Sequence, residues 1–361
     1  MQDLKKKIAH KIIAFSKITF RDFMEMALYD PEGGYYNSEG EKIGAKGDYY
    51  TSANLSQIFG SLLAKQFFEI YQAQATDRLR IIELGAGTGL LALDILSTLE
   101  NDYSLTEVDY LIVEPSQVLR KKQRSKLEKF KNRVDWVDLE ELVKKPTEAI
   151  FLANEVIDAL PVHRACWQKG KLKELYVGNT ETSFTPVWDE PSTKEILQFL
   201  KRFDIVLADQ QVIEINLDAI KLLQKISQAL TSGYVFIIDY GDLNDHLYLP
   251  EHKDGTLRCF YKHRVNSDPF SCIGEQDITS DVDFSALIDY GLEFGLETIR
   301  FTRQADYLIK LGLLDKLEEL LKDSNQDLKS FKSRLALKNF FVPGGISDHF
   351  KVLIQKKAKK D

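Results

Sequence analysis

Two carboxylates and three glycines in this chain are spaced to do chemistry together. Glu83 stands two residues ahead of Gly85, and Gly87 and Gly89 follow at alternate positions, with Ala86 and Thr88 between them. Glycines so placed let the backbone turn sharply and approach a ligand where a β-carbon would block it. The first amides of a following helix then aim free N–H groups at that ligand. Glu114 closes the next apolar run. A carboxylate there is placed to accept hydrogen bonds from two ribose hydroxyls, each worth roughly 1.5–3 kcal/mol. The implied chemistry is recognition of a ribose-containing cofactor. A dinucleotide fingerprint, G-x-G-x-x-G, needs glycine at position 90, where this chain has Leu90; the spacing is instead E-x-G-x-G-x-G. A tight strand-to-helix turn with no ligand is the bland alternative, and Glu114 counts against it.

A second polar group follows another apolar run. Asn154, Glu155 and Asp158 come just after Glu148–Ala153, and in open parallel sheets the carboxyl ends of strands are where ligands and chemistry sit. Glu155 and Asp158 would equally serve as N-caps of a helix beginning near Ile157. Asp239 and Tyr240 close a further strand, and Tyr240 either packs beside a substrate nitrogen or belongs to the core. Thr51 and Ser52 precede a helix, and spacing alone favours capping for them. The histidines at 246, 252 and 263 fit no metal-ligand spacing.

The elements that must position these residues are legible in the pattern of apolar positions. Leu79–Leu84 is a buried strand and Leu90 opens a helix; Val108–Glu114, Arg133–Val137 and Glu148–Ala153 are further strands, with a charged helix over Ser116–Lys131. Upstream, Leu4–Phe15 is helical, and Thr19 caps a second helix that Asp30 and Pro31 end. Ser56 leads into a third over Ile58–Ile70. Downstream, Ala165–Trp167 and Leu172–Val177 form a hairpin around QKGK, Pro186–Pro191 is loop, Lys194–Phe203 is helix and Val212–Asn216 extended. Asp218–Leu230 is helical and Gly233 leads into a strand ending in IIDYG. Residues 242–283 are polar and turn-rich. Asp283–Phe294 and Ala305–Lys322 are helices, and Leu296–Phe301 and Phe350–Gln355 are final strands.

With 361 residues, 44% of them hydrophobic and 29% charged, the chain has the composition of a globular protein with one large core and a sizeable second lobe. A net charge of −7 argues against a nucleic-acid-binding surface. No apolar run approaches the ~18 residues of a membrane span. Cys166, Cys259 and Cys272 are too few and scattered for a disulfide framework, which implies a reducing compartment. The first twenty residues are lysine-rich and amphipathic, but they hold Asp3 and no arginine, which favours a folded helix over a targeting segment.

The E-x-G-x-G-x-G spacing resembles motif I of the S-adenosylmethionine-dependent methyltransferases with a Rossmann-like fold. More specifically, T-F-x-x-F-M, A-L-Y-D-P, G-G-Y-Y and G-D-Y-Y-T-S ahead of E-L-G-A-G-T-G resemble the MidA family. ANEVIDALPVH, IIDYG and GTLRCFYKHRV…DITSDVDF extend the likeness over most of the chain. That family includes a mitochondrial protein arginine methyltransferase that serves respiratory complex I assembly. The chain departs from the family pattern at Ala53 and Asn54, where an acid is missing, and in carrying G-A-G-T-G-L for G-P-G-R-G-T.

The resemblance implies an α/β fold: a Rossmann-like class I methyltransferase sheet, ending in an antiparallel strand pair, with an N-terminal helical extension and an inserted lid or substrate lobe. The corresponding division is 1–76, 77–163, 164–230 and 231–361, with a further lid segment at 242–283. S-adenosylmethionine is the implied cofactor. Glu83 faces its methionine end, the loop Gly85–Gly89 and Asn154 line it, Glu114 takes the ribose, and Asp135 and Trp136 frame the adenine; Trp136 as a structural core residue is the alternative. Thr51 and Ser52 flank the cofactor. The implied acceptor is arginine of a protein. Because a guanidinium stays protonated, the enzyme must hold it with paired carboxylates that localise charge and leave one nitrogen facing the methyl group. Glu155 and Asp158 are the pair. The expected location is the cytoplasm, or the mitochondrial matrix in a eukaryote. A methyltransferase with another acceptor, a pocket-retaining assembly chaperone and, last, an NAD-dependent oxidoreductase are the alternatives.

Overall fold

The computed structural model describes residues 2–38, 56–74, 76–180, 183–262, 264–322 and 349–359. Thr51, Ser52 and His263 lie outside them. The strands of the central sheet are β1 (Leu79–Leu84), β2 (Val108–Val113), β3 (Val134–Trp136), β4 (Thr147–Asn154), β5 (Leu230–Asp242), β6 (Glu297–Arg303) and β7 (Phe350–Lys357). Their order across the sheet is β6-β7-β5-β4-β1-β2-β3, and a two-residue stub at Val282–Asp283 pairs with β5. β5, β4, β1, β2 and β3 are mutually parallel, and β7 runs antiparallel between β5 and β6. This is the sheet of the class I methyltransferases, including the expected antiparallel ending.

The sheet is covered on both faces, which is why its strands read as continuous apolar runs. Alternate residues of each strand enter two different cores. Ile81, Ile150, Leu152, Phe236 and Ile238 pack with Phe67 of helix α3 (Ser56–Gln74) and Ile95 of α4 (Leu90–Asn101). Ile82, Phe151, Val235 and Ile237 pack with Leu223 of the helix Leu217–Ala229 and Leu287 of the helix Phe284–Glu293. Exchanging either set for polar residues would strip one whole layer from the sheet.

A third apolar cluster lies over the carboxyl edge of the sheet. It joins α1 (Gln2–Phe15) and α2 (Phe20–Tyr29) to Leu175 and Val177 of the inserted strands and to Cys259, Ile273 and Ile278. Thr19 caps α2 by accepting from the Asp22 amide, as its spacing predicts. The inserted strands His163–Gln168, Lys171–Asn179, Phe184–Asp189 and Val212–Ile215, joined by Ile18–Thr19 of the N-terminal segment, form a five-stranded sheet.

Several sequence expectations are corrected. Pro186 lies within a strand, not a loop; proline is tolerated because Phe184–Asp189 is an edge strand paired only with Lys171–Asn179. Residues 242–283 contain a three-stranded antiparallel sheet, Arg258–Tyr261, Arg264–Asn266 and Asp277–Thr279, whose short strands carry no clear alternation. The helix expected over Ala305–Lys322 is two helices, Gln304–Leu311 and Leu313–Lys322, separated by Gly312 in a left-handed conformation. β5 begins at Leu230 rather than after Gly233. A bulge lies between Leu230 and Ser232, and a β-carbon on Gly233 would sit 2.0 Å from the Ala149 carbonyl oxygen.

Candidate active site

The loop after β1 has the geometry its glycines foretell. Gly85, Gly87 and Gly89 adopt φ of 59°, 52° and 77°, a region costly for other residues. Gly89 caps α4, and its amide donates to the Ala86 carbonyl at 2.7 Å. Thr88 is partly exposed on the turn. Beneath the loop, Glu83 is buried and accepts from the Tyr110 hydroxyl at 2.8 Å. Burial pushes its carboxyl up to about 7, against the lowering effect of that hydrogen bond.

Glu114 ends up beside this loop, one strand over. Its Oε1 accepts from the Ser116 amide at 3.0 Å and its Oε2 from Gln123 Nε2 at 3.1 Å. Burial raises its carboxyl above the ordinary range, and the Ser116 and Gln123 bonds oppose that rise. A carboxylate has about four acceptor positions, so two bonds leave it able to take hydroxyl donors.

Gln123 is the residue that sequence reasoning missed. It lies on α5 (Gln117–Lys126), whose many charged residues suggest a solvated helix, yet it is fully buried. Its Nε2 donates both to Glu114 and to the Gly87 carbonyl at 2.9 Å, and its Oε1 accepts from Trp136 Nε1 at 2.8 Å. One amide side chain thus ties together the glycine loop, Glu114 and the end of β3. Trp136 is partly buried, with the Arg124 guanidinium over its ring at 4.4 Å. Asp135 is exposed, and its Oδ1 accepts from the Trp136 amide.

The turn after β4 brings the other polar residues to the same edge. The helix expected near Ile157 does not form, so capping does not account for Glu155 and Asp158. Instead the chain makes a tight turn, with Glu155 at φ 54°. Asp239, fully buried at the end of β5, organises it. Its Oδ2 accepts from the amides of Val156, Ile157 and Asp158 at 3.2, 2.9 and 3.2 Å, and its Oδ1 from the Tyr240 amide at 2.9 Å. Burial beside Asp158 and Glu155 pushes the Asp239 carboxyl well up, while these amides pull it down. Asn154 Nδ2 donates to Glu155 Oε1 at 3.4 Å. Asp158 is buried, and burial lifts its carboxyl to about 6.

The N-terminal segment closes over these parts. Tyr29 and Tyr36 stack at 5.3 Å between ring centres. The Tyr29 hydroxyl donates to the Ala159 carbonyl at 3.0 Å and that of Tyr36 to Asp277 Oδ1 at 2.8 Å, while the Tyr36 carbonyl accepts from Ser116 Oγ at 2.9 Å.

Comparison with known proteins decides what this assembly is. Residues 62–302 match the family described as "putative S-adenosyl-L-methionine-dependent methyltransferase". The chain belongs to this methyltransferase family. The enzyme is similar to the human "protein arginine methyltransferase NDUFAF7, mitochondrial", with 28% identity over 358 residues that cover 89% of this chain and 76% of the human one. Its likeness to the mouse protein of the same name is 30% over 316 residues, covering 78% of this chain and 68% of the mouse one. In three dimensions it resembles a Burkholderia thailandensis protein described as a "likely methyl transferase" and solved bound to S-adenosyl-homocysteine. That match has 29% identity and a TM-score of 0.90, covering 100% of this chain and 93% of the other. The methyltransferase uses S-adenosyl-L-methionine as its cofactor. Among the described residues, no helix is long and apolar enough to cross a membrane.

Proposed function

We propose that this methyltransferase methylates the guanidinium group of arginine in a protein substrate, in the cytoplasm or, in a eukaryote, the mitochondrial matrix. The observation that carries this reading is the turn Glu155–Asp158, which presents two carboxylates at the carboxyl edge beside the cofactor loop, with Asp158 Oδ1 buried and unpaired among the described residues. The names of the human and mouse relatives support it.

The residues present fit the cofactor. Glu83, the loop of Gly85, Ala86, Gly87, Thr88 and Gly89, and Asn154 would hold its methionine end; Glu114 would take the ribose, and Asp135 and Trp136 the adenine side. Bound S-adenosylmethionine supplies a methyl group on a sulfonium whose sulfur leaves neutral. The chain's own task is to present the acceptor. Glu155 and Asp158 would pair with guanidinium N–H groups, localise the positive charge on the nitrogens they hold and leave another nitrogen facing the methyl. Asp158, with its carboxyl raised to about 6, is suited to receive the proton which that nitrogen gives up.

The test is transfer from methyl-labelled S-adenosylmethionine into protein extract of the source cells, followed by acid hydrolysis and amino-acid analysis. Label in methylarginine that Glu155→Gln abolishes is the expected result. Label confined to another amino acid or to small molecules would refute the arginine acceptor.

A further inference from the structure

The amide of Gln123 has an acceptor end and a donor end, and both are engaged. Its Oε1 accepts from Trp136 Nε1 at 2.8 Å, while Nε2 donates to the Gly87 carbonyl at 2.9 Å and to Glu114 Oε2 at 3.1 Å. These neighbours admit one orientation. Turned end for end, the amide would set its oxygen against a carbonyl and a carboxylate, and its nitrogen against the indole N–H, so that every contact became like to like. The side chain has little room to shift. A β-carbon on Gly89 would stand 3.3 Å from Gln123 Cα and 3.4 Å from its Cγ, so the third glycine of the loop also seats Gln123.

Trp136 lies on the adenine side of the proposed site, where an aromatic ring invites stacking on a base. The ring has other neighbours. It packs against the apolar core shared by α3 and α4, and the Arg124 guanidinium lies 4.4 Å from its centre. An adenine stacked on that face would have to displace the cation, whereas the N–H acts on Gln123 with no rearrangement.

We infer that Trp136 is a positioning residue that serves the cofactor through its indole N–H and not through its ring. The N–H holds the Gln123 amide, which holds Glu114 and the Gly87 carbonyl. Without it, Gln123 Oε1 would be buried with no donor, a state costly enough for the side chain to leave its place. Glu114 and the glycine loop would then lose their common support. The inference rests on the placement of the ribose at Glu114 and adds to it the group that fixes the acid from behind.

The test is calorimetric titration of the full chain with S-adenosylhomocysteine. Trp136→Phe keeps an aromatic ring and removes the N–H, and it should weaken binding roughly five- to tenfold. Placing β-(3-benzothienyl)alanine at position 136, which keeps the bicyclic ring and puts sulfur where the N–H was, should lose as much, and it serves where the phenylalanine variant fails to fold. Trp136→Phe combined with Gln123→Leu should bind no more weakly than Gln123→Leu alone, because the indole then has nothing left to hold. A merely structural tryptophan would lower the urea midpoint and leave the affinity of the folded protein within about twofold. If the benzothienyl protein binds as the parent does, or if the losses from Trp136→Phe and Gln123→Leu multiply, this inference falls and the ribose placement stands. Glu114→Gln tests that placement separately and should weaken binding about tenfold or more; if it binds as the parent does, the ribose placement falls and this inference with it.

Discussion

Replacing Glu83 with glutamine should make the free protein more stable at pH 8 while weakening its hold on the cofactor. Glu83 is 2% exposed, and burial raises its carboxyl from 4.5 to about 7. The folded state therefore binds this proton more tightly than the unfolded chain does. Ionising Glu83 opposes folding, and the penalty grows as pH rises from 4.5 to 7 and is constant above. At about 1.36 kcal/mol per pH unit across that window, it is on the order of 3 kcal/mol at pH 8 and under about 1 kcal/mol at pH 5. Glu83→Gln removes the penalty and keeps an acceptor for the Tyr110 hydroxyl, so the native hydrogen bond survives. Urea unfolding of parent and variant without cofactor, at pH 5 and pH 8, measures the difference. The variant's advantage should be large at pH 8 and nearly absent at pH 5; an advantage that does not change with pH would refute the reasoning. Because S-adenosylmethionine is cationic, it should favour the ionised acid. Binding to the parent below pH 7 should then release a proton, seen as a buffer-dependent heat in calorimetry, and the variant should show none from this group.

Two further outcomes follow from the polar network. Gln123→Leu keeps the volume of a fully buried side chain but unties Gly87, Glu114 and Trp136; S-adenosylhomocysteine should bind roughly tenfold more weakly by calorimetry, and unchanged affinity would mean the loop and Glu114 hold their places without it. Asp239→Ala removes the acceptor of the Val156, Ile157, Asp158 and Tyr240 amides and should cost on the order of 3–5 kcal/mol in urea unfolding; a loss below about 1 kcal/mol would show that the turn is held by other contacts.

What could be read from the sequence was local. The strand, glycine turn and helix at Leu79–Leu96 are encoded by neighbours, and so is the Thr19 cap three residues from Asp22. The last strand was legible as an apolar run, and its antiparallel direction came only with the resemblance to the methyltransferases. What escaped was set by contacts between distant segments. Asp239 reads as a polar residue ending a strand, and only the fold places it under amides some eighty positions earlier. Gln123 is masked by charged neighbours on its own helix. Pro186 and the strands of 258–279 are fixed by pairing partners that no window of sequence contains, and Glu155 gave no sign of the left-handed turn that replaces a helix.

The bulge before Gly233 has a consequence at the other end of β5. Thr231 is the extra residue there, with Leu230 opposite Thr147 and Ser232 opposite Glu148. Side chains alternate faces along a strand, so this one insertion sets the parity of everything after it. Had β5 paired with β4 from Leu230 without it, each following residue would have advanced one place and turned to the opposite face. Val235 and Ile237 would have exchanged cores with Phe236 and Ile238, an apolar swap the sheet could partly absorb. Asp239 could not move so cheaply: the acid would leave the turn it organises for the place of Tyr240, and the apolar side chain of Ile238 would come to lie under the amides of Val156–Asp158. A backbone irregularity at the foot of the strand thus decides which residue of β5 supports the turn.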